Sequence, residues 1–134
     1  MQGRFLFAHD LEKEALEWGE RRWFSLPQLT NANSLVVVEV SLQPGFGHNF
    51  HLHPNQEEIV FVLDGEIEQW LEQEKTILKT GDSTFIPANV IHASFNTSEK
   101  PVRVLAILGP AVGEDGYEVV EVADRSPWNT IRNL

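Results

Sequence analysis

The sequence predicts an all-β antiparallel sandwich or barrel, and three observations carry that reading. Short runs of β-branched and aromatic residues recur along the chain, Gly, Pro, Asn and Asp separate them at close intervals, and only one segment offers a helical pattern. The length of 134 residues, with 42% hydrophobic and 22% charged residues, suits one domain with one packed core.

Residues 1–33 read as an N-terminal arm. Within it, Leu11–Gly19 is the helical candidate, because Asp10 can cap it, its residues are helix formers and Gly19 can end it. Its apolar positions Leu11, Ala15, Leu16 and Trp18 make only a rough stripe, so an irregular arm is the alternative. Strands begin at Ser34–Leu42, where Val36, Val38, Val40 and Leu42 recur at period two before Pro44-Gly45. Glu58–Leu63 follows, and Asp64-Gly65 turns it into Glu66–Glu74, the strongest hairpin signal in the chain. Lys75–Lys79 ends at Gly81-Asp82, Ser83–Ile86 ends at Pro87, and Ile91–Phe95 ends at Asn96. Val102–Leu108 and Tyr117–Val122 complete the strands, and 109–134 is a C-terminal extension that either caps the barrel or decorates its outside.

Charge and composition narrow the function. Twenty Asp and Glu against ten Lys and Arg give a net charge of -10, which argues against a phosphate backbone as partner, so nucleic acid is not expected. The chain has no Cys, which removes disulfides, thiol nucleophiles and iron–sulfur clusters and leaves nitrogen and oxygen as metal donors. The only apolar N-terminal stretch, Phe5–Ala8, is too short for a signal core or a membrane span. A cytoplasmic protein with small-molecule or protein partners is expected, and no membrane.

Four of the five His fall between positions 48 and 92. His51 and His53 stand two apart, so on a strand their imidazoles project from one face toward one ion. A turn at Pro54-Asn55 brings Glu58 back beside them, and His92 can supply a fourth ligand from across a barrel. This mixture of imidazole and carboxylate suits one divalent transition metal, Mn, Fe, Ni, Cu, Co or Zn, better than magnesium or calcium.

These residues lie in two spaced motifs. The first runs Gly45, five residues, His51-Leu52-His53, four residues, Glu58, six residues, Gly65. The second runs Gly81, five residues, Pro87-Ala88-Asn89, two residues, His92, three residues, Asn96. With residues 66–80 between them, the pair resembles the two motifs of the cupin superfamily in its small single-domain form. The resemblance implies a jelly-roll barrel of about six to eight strands or more with short terminal extensions, one domain over 1–134. It implies that His51, His53, Glu58 and His92 bind the metal inside the barrel, that Gly65 and Gly81 are turn residues, and that small cupins pair as homodimers through barrel faces. Asn89 stands where the family usually has Gly, and Asn tolerates the left-handed backbone that such a turn needs.

Neighbouring residues are read by strand parity. His48, out of phase with His51 and His53 on a continuous strand, is expected to face away from the site. Glu57 reads as a solvated carboxylate, and Gln56 as a barrel-mouth or solvated loop amide. Phe50, Leu52, Phe61 and Phe95 are expected to pack against a second sheet or a partner, and Val60, Val62 and Ser94 to line the pocket. The four Trp, at 18, 23, 70 and 128, read as core or interface anchors, and Glu66, Glu68, Glu72 and Glu74 as an exposed strand face. Arg103 reads as solvent-facing.

Four protein ligands around a six-coordinate ion leave two positions for a substrate, or for substrate and dioxygen. Glu58 is then also the candidate catalytic base. The preferred expectation is a dioxygenase-like oxidoreductase acting on an enolisable small molecule. The alternatives are a metal-assisted sugar isomerase, epimerase or lyase, and a small-molecule binding or sensing module without turnover. Imidazole ligands must be neutral, so acidification past about 6.5 is expected to release the metal.

Overall fold

The computed structural model describes residues 3–132, so Met1, Gln2, Asn133 and Leu134 of the expected domain lie outside the described residues. Among the described residues eleven strands form two antiparallel sheets around one interior. In chain order they are β1 (Glu14–Leu16), β2 (Gly19–Ser25), β3 (Val36–Leu42), β4 (Gly47–Leu52), β5 (Glu57–Asp64), β6 (Glu66–Leu71), β7 (Glu74–Lys79), β8 (Ser83–Ile86), β9 (His92–Phe95), β10 (Val102–Gly109) and β11 (Val120–Glu121). One sheet has the order β1-β2-β3-β10-β5-β8 and the other β11-β4-β9-β6-β7, a jelly-roll arrangement as expected. A single helical turn, α1 (Pro27–Thr30), joins β2 to β3. Among the described residues no helix is long and apolar enough to cross a membrane.

The helix expected over Leu11–Gly19 is absent, and the segment is not an irregular arm either. It carries β1, a turn at Glu17-Trp18 and the start of β2, a hairpin whose second strand pairs with β3 from Gly19↔Leu42 to Trp23↔Val38. Helix propensity there is worth only tenths of a kcal/mol per residue, and pairing with a buried strand outweighs it. Gly19 is a requirement of this packing and not a helix end. Its φ is 148°, and a Cβ placed on it would collide with the Ser41 carbonyl on β3.

The Gly- and Asn-marked turns fall where the sequence puts them. Gly45, Gly65 and Gly81 have positive φ, and Asn89 holds the left-handed conformation at φ 67° in place of glycine. The run Glu66–Glu74 is not one strand, because it breaks at Glu72, where φ is 52° and the N–H donates to the Ile91 carbonyl. Tyr117–Val122 is strand only at Val120–Glu121, since the Glu118 backbone leaves the ladder to bond His53 and Gln56.

Inward residues of both sheets fill the barrel. Leu42, Val60, Val62, Ile67, Ile86, Val102 and Val104 close one part of it, with Trp18 packed against them. Val36, Val38, Ala106 and Leu108 form a second cluster against Trp23 and Tyr117. A third cluster lies on the outer face of the five-stranded sheet, where Phe50, Trp70, Ala93 and Phe95 are covered by Val122, Trp128 and Ile131. The C-terminal extension therefore does both things expected of it in turn: Ala111 and Tyr117 pack at the barrel interior, while residues from Val122 onward decorate the outside, and Phe50, Phe95, Trp70 and Trp128 are the packing anchors the sequence predicts. Arg132 clamps this layer by bonding Glu68 at 2.7 Å, its guanidinium 3.6 Å from the Phe95 ring centroid. Glu68 also accepts the Trp70 indole N–H, so it is a half-buried anchor and not part of an exposed acidic face.

Candidate metal centre

Two sheets supply the four ligand candidates. His51 and His92 are direct partners across β4 and β9, His53 follows β4, and Glu58 points inward from β5 of the opposite sheet. All four are buried, and one donor atom of each lies within 4.8 Å of the others. Every imidazole is oriented by its outer nitrogen: Nδ1 lies 2.6 Å from the Asn49 carbonyl for His51, 2.7 Å from the Glu118 carbonyl for His53, and 2.9 Å from the Val90 carbonyl for His92. Donation to a carbonyl fixes the proton on Nδ1 and turns the Nε2 lone pair inward, the arrangement that metal-binding histidines need.

Inside the cluster, Glu58 Oε1 lies 3.1 Å from His53 Nε2 and 3.0 Å from His92 Nε2. With both imidazoles neutral, these are acceptors facing an acceptor, and Glu58 Oε1 and His92 Nε2 are buried without a hydrogen-bond partner. Something positive must stand between them, either an extra proton or a cation. When protons take that place, the imidazolium bonds overcome the upward push of burial and hold the Glu58 carboxyl at about 2. For His53, burial pulls the pKa down, but the bond to Glu58 and its charge more than offset this and raise it. Burial and the surrounding imidazoles of His48 and His92 push His51 strongly down, so it stays neutral. A neutral His51, two further imidazoles with Nε2 turned inward, and an ionised carboxylate make a donor set that fits a divalent transition metal.

His48 is where strand parity misleads. It does not face away: its ring stacks on His51 with centroids 3.5 Å apart and planes 8° from parallel. The cause is a β-bulge. Three steps on β4, from His48 to His51, oppose two on β9, from Ser94 to His92, and the Asn49 side chain accepts the Phe50 N–H. His48 then pairs through Nε2 with Glu121 at 3.3 Å. The run His48–Leu52 contains neither Pro nor Gly and carries no signal of the bulge apart from Asn49.

Gln56 is also misplaced by sequence reasoning. It is 1% exposed, and its amide donates to the Pro110 and Gly116 carbonyls at 2.9 Å while accepting the Glu118 N–H at 3.0 Å. These bonds clip loop 110–118 to the barrel and with it Tyr117, whose ring lies 5.2 Å from that of His53. Glu57 is exposed as expected, as is Arg103, which lies 3.7 Å from Glu39.

A cavity of about 210 Å3 opens beside the ligands. Val60 and Ser94 line it as predicted, while Val62 packs in the core instead. Trp18, Arg21, Trp23 and Tyr117 line it too. Trp18 and Trp23 are thus cavity walls, and Arg21 and Tyr117 are site residues the sequence does not single out. The N-terminal hairpin brings three of these four, so the signal was hidden with the hairpin itself.

Known proteins are similar to this chain in sequence and in fold. The chain is 30% identical over 109 residues to protein SchB of Streptomyces halstedii, covering 81% of this chain and 79% of that one. It is 26% identical over 110 residues to polyketide synthase CurC of Streptomyces cyaneus, covering 82% and 71%. The structure of KdgF from Halomonas sp. superposes with a TM-score of 0.72 at 25% identity, over 81% of this chain and 94% of that one. Residues 38–108 match the family model described as the cupin domain, a stretch that runs from β3 to β10 and contains all four ligand candidates. The chain belongs to the cupin family.

Proposed function

We propose that the protein is a metal-dependent enzyme acting on a small organic molecule, and that its reaction is a dioxygenase-like oxidation of an enolisable or phenolic substrate. The observation that carries this reading is Glu58 Oε1 held between two inward-turned imidazoles at the edge of an apolar cavity. His51, His53, Glu58 and His92 would hold one divalent transition metal. When bound, that ion supplies Lewis acidity toward substrate oxygens and, if redox-active, a route for electrons to dioxygen. The chain does the rest. Val60, Val104 and Ala106 limit water, the Nδ1 bonds keep the imidazoles from turning, and Glu58 is the carboxylate placed to accept a substrate proton.

Cavity size supports a compact substrate. An apolar cavity of roughly 150 Å3 accommodates benzene, so about 210 Å3 suits one ring with substituents, or a diketone, better than a three-ring flavonol. The likeness to a protein named a polyketide synthase supports a substrate rich in enolisable carbonyls.

A second reading is metal-assisted isomerisation, epimerisation or elimination. It is favoured by the His48–Glu121 pair, which sets a second imidazole and carboxylate beside the ligands. Protein reconstituted separately with iron, manganese, nickel and copper, and offered catechols, diketones and flavonols in an oxygen electrode, separates the readings. Oxygen uptake supports the first, turnover without uptake the second, and binding without turnover a sensing module.

We also propose a homodimer. The outer face of the β10-β5-β8 region exposes Ile59, Phe61 and Phe85, whereas the corresponding face of the other sheet is covered by the chain's own C-terminal segment.

A further inference from the structure

Arg21 is the only Lys or Arg lining the cavity among the described residues. On an ordinary reading it would recruit an acidic substrate. Its charge is already used, however. Nε and Nη2 donate to Glu14 Oε1 and Oε2 at 3.2 and 3.1 Å, a two-pronged pair across β1 and β2. Trp23, over whose ring the guanidinium lies at 5.6 Å, donates its indole N–H to the same Glu14 oxygen at 3.2 Å. Glu14 does not itself line the cavity. Its carboxyl is held below the usual range, first by the Arg21 hydrogen bond, so the counter-charge persists through neutral pH. The second cavity-lining base, His48, is likewise matched by a carboxylate, Glu121.

We propose that Glu14 is a specificity-determining residue: by cancelling the charge of Arg21 it makes the site select uncharged, ring-sized oxygen chelators and reject those carrying an additional anionic group. The inference rests on the metal-chelating reading above. A divalent ion and Glu58 leave one positive charge, which a single deprotonated ligand oxygen neutralises. A further carboxylate on the ligand would meet no free cation, only a largely apolar wall whose one Arg and whose His48 are already matched by carboxylates, in a chain of net charge -10. Arg21 keeps unspent N–H groups, which can donate to a neutral carbonyl or hydroxyl.

The test is calorimetric titration of zinc-loaded protein, where no redox turnover intervenes, with 3,4-dihydroxybenzamide and 3,4-dihydroxybenzoate. The two probes share size and chelating group and differ in one charge. Wild type is expected to bind the amide about tenfold tighter, and Glu14→Gln to abolish or invert that preference. Glu14→Asp should retain it, and Glu14→Gln with Arg21→Gln should restore it. Should Glu14→Gln fold poorly, Arg21→Gln alone decides, because removing the cation and leaving Glu14 must widen the preference. A wild type that favours the benzoate, a Glu14→Gln ratio equal to wild type, or an Arg21→Gln ratio no wider overturns the inference while leaving the chelating site intact. Failure of both probes to bind zinc-loaded protein overturns the chelating reading itself, and this inference with it.

Discussion

Glu58 Oε1 lies 3.0 Å from His92 Nε2, and neither atom finds a hydrogen-bond donor once the imidazole spends its proton on the Val90 carbonyl. Two buried acceptors in contact cost several kcal/mol unless a positive charge joins them, so the cluster calls for a proton or a cation between its members. Removing His51 and His53 together, as the double alanine variant, should reduce bound metal from about one per chain to a trace, measured by elemental analysis after dialysis. Unchanged metal content would place the ion elsewhere. Glu58→Gln should weaken binding less, because an amide oxygen keeps a ligand atom and loses only the charge.

Gln56 makes a different prediction, one of stability. Its side chain satisfies two carbonyls and one N–H of loop 110–118 from a fully buried position. Gln56→Leu should cost about 2–4 kcal/mol, since buried backbone groups lose partners that water cannot reach. Hydrogen exchange at Glu118 should accelerate more than at strand β10. A variant as stable as wild type would mean that the loop finds other partners.

The pair Glu68–Arg132 predicts an acid-sensitive outer layer. Burial pushes the Glu68 carboxyl up, but the bonds from Trp70 and Arg132 outweigh it and lower its pKa below the ordinary value. A carboxyl with a depressed folded pKa contributes stability above its unfolded pKa of about 4.5 and loses it as pH falls through the folded value. Allowing for solvent screening at Arg132, the effect is about 1 kcal/mol. Fluorescence of Trp70 and Trp128 should therefore report loosening of the C-terminal segment as pH falls below the ordinary carboxyl value and through the lowered Glu68 value. Glu68→Gln should flatten that transition, and an identical acid transition in the variant would assign it to other carboxylates.

How far the sequence reaches depends on whether a feature is local. The motifs locate all four ligand candidates because strand parity, glycine turns and Asn89 each act within a few residues. His48 escaped the parity rule because a bulge is decided by pairing with β9, not by residues 47–52 alone. Arg21 and Trp23 escaped it because their strand exists only by pairing with β3, which overrides a helix-forming composition. Gln56 looked like a loop amide because the three groups it satisfies lie 54 to 62 residues away. Long-range pairing thus hides the hairpin side of the cavity wall, while the donor set is written in short spacings.

The last prediction concerns the exposed face of the six-stranded sheet. Ile59 pairs with Phe85 across β5 and β8, Phe61 lies two residues along, and these side chains are 42%, 53% and 36% exposed. Strand parity forces them outward, because Glu58, Val60 and Val62 must face the interior. Outward Ile and Phe on a flat sheet contribute nothing to the monomer's own core, yet burying each against a second copy would recover about 1.5–3 kcal/mol. Phe61→Asp should consequently leave the melting temperature of the isolated barrel nearly unchanged while shifting the mass seen by light scattering from dimer to monomer at micromolar concentration. Metal content should stay the same in that variant, since the site faces the opposite side of β5. A wild-type protein that is monomeric at these concentrations would remove the homodimer and leave this face as a contact for some other partner.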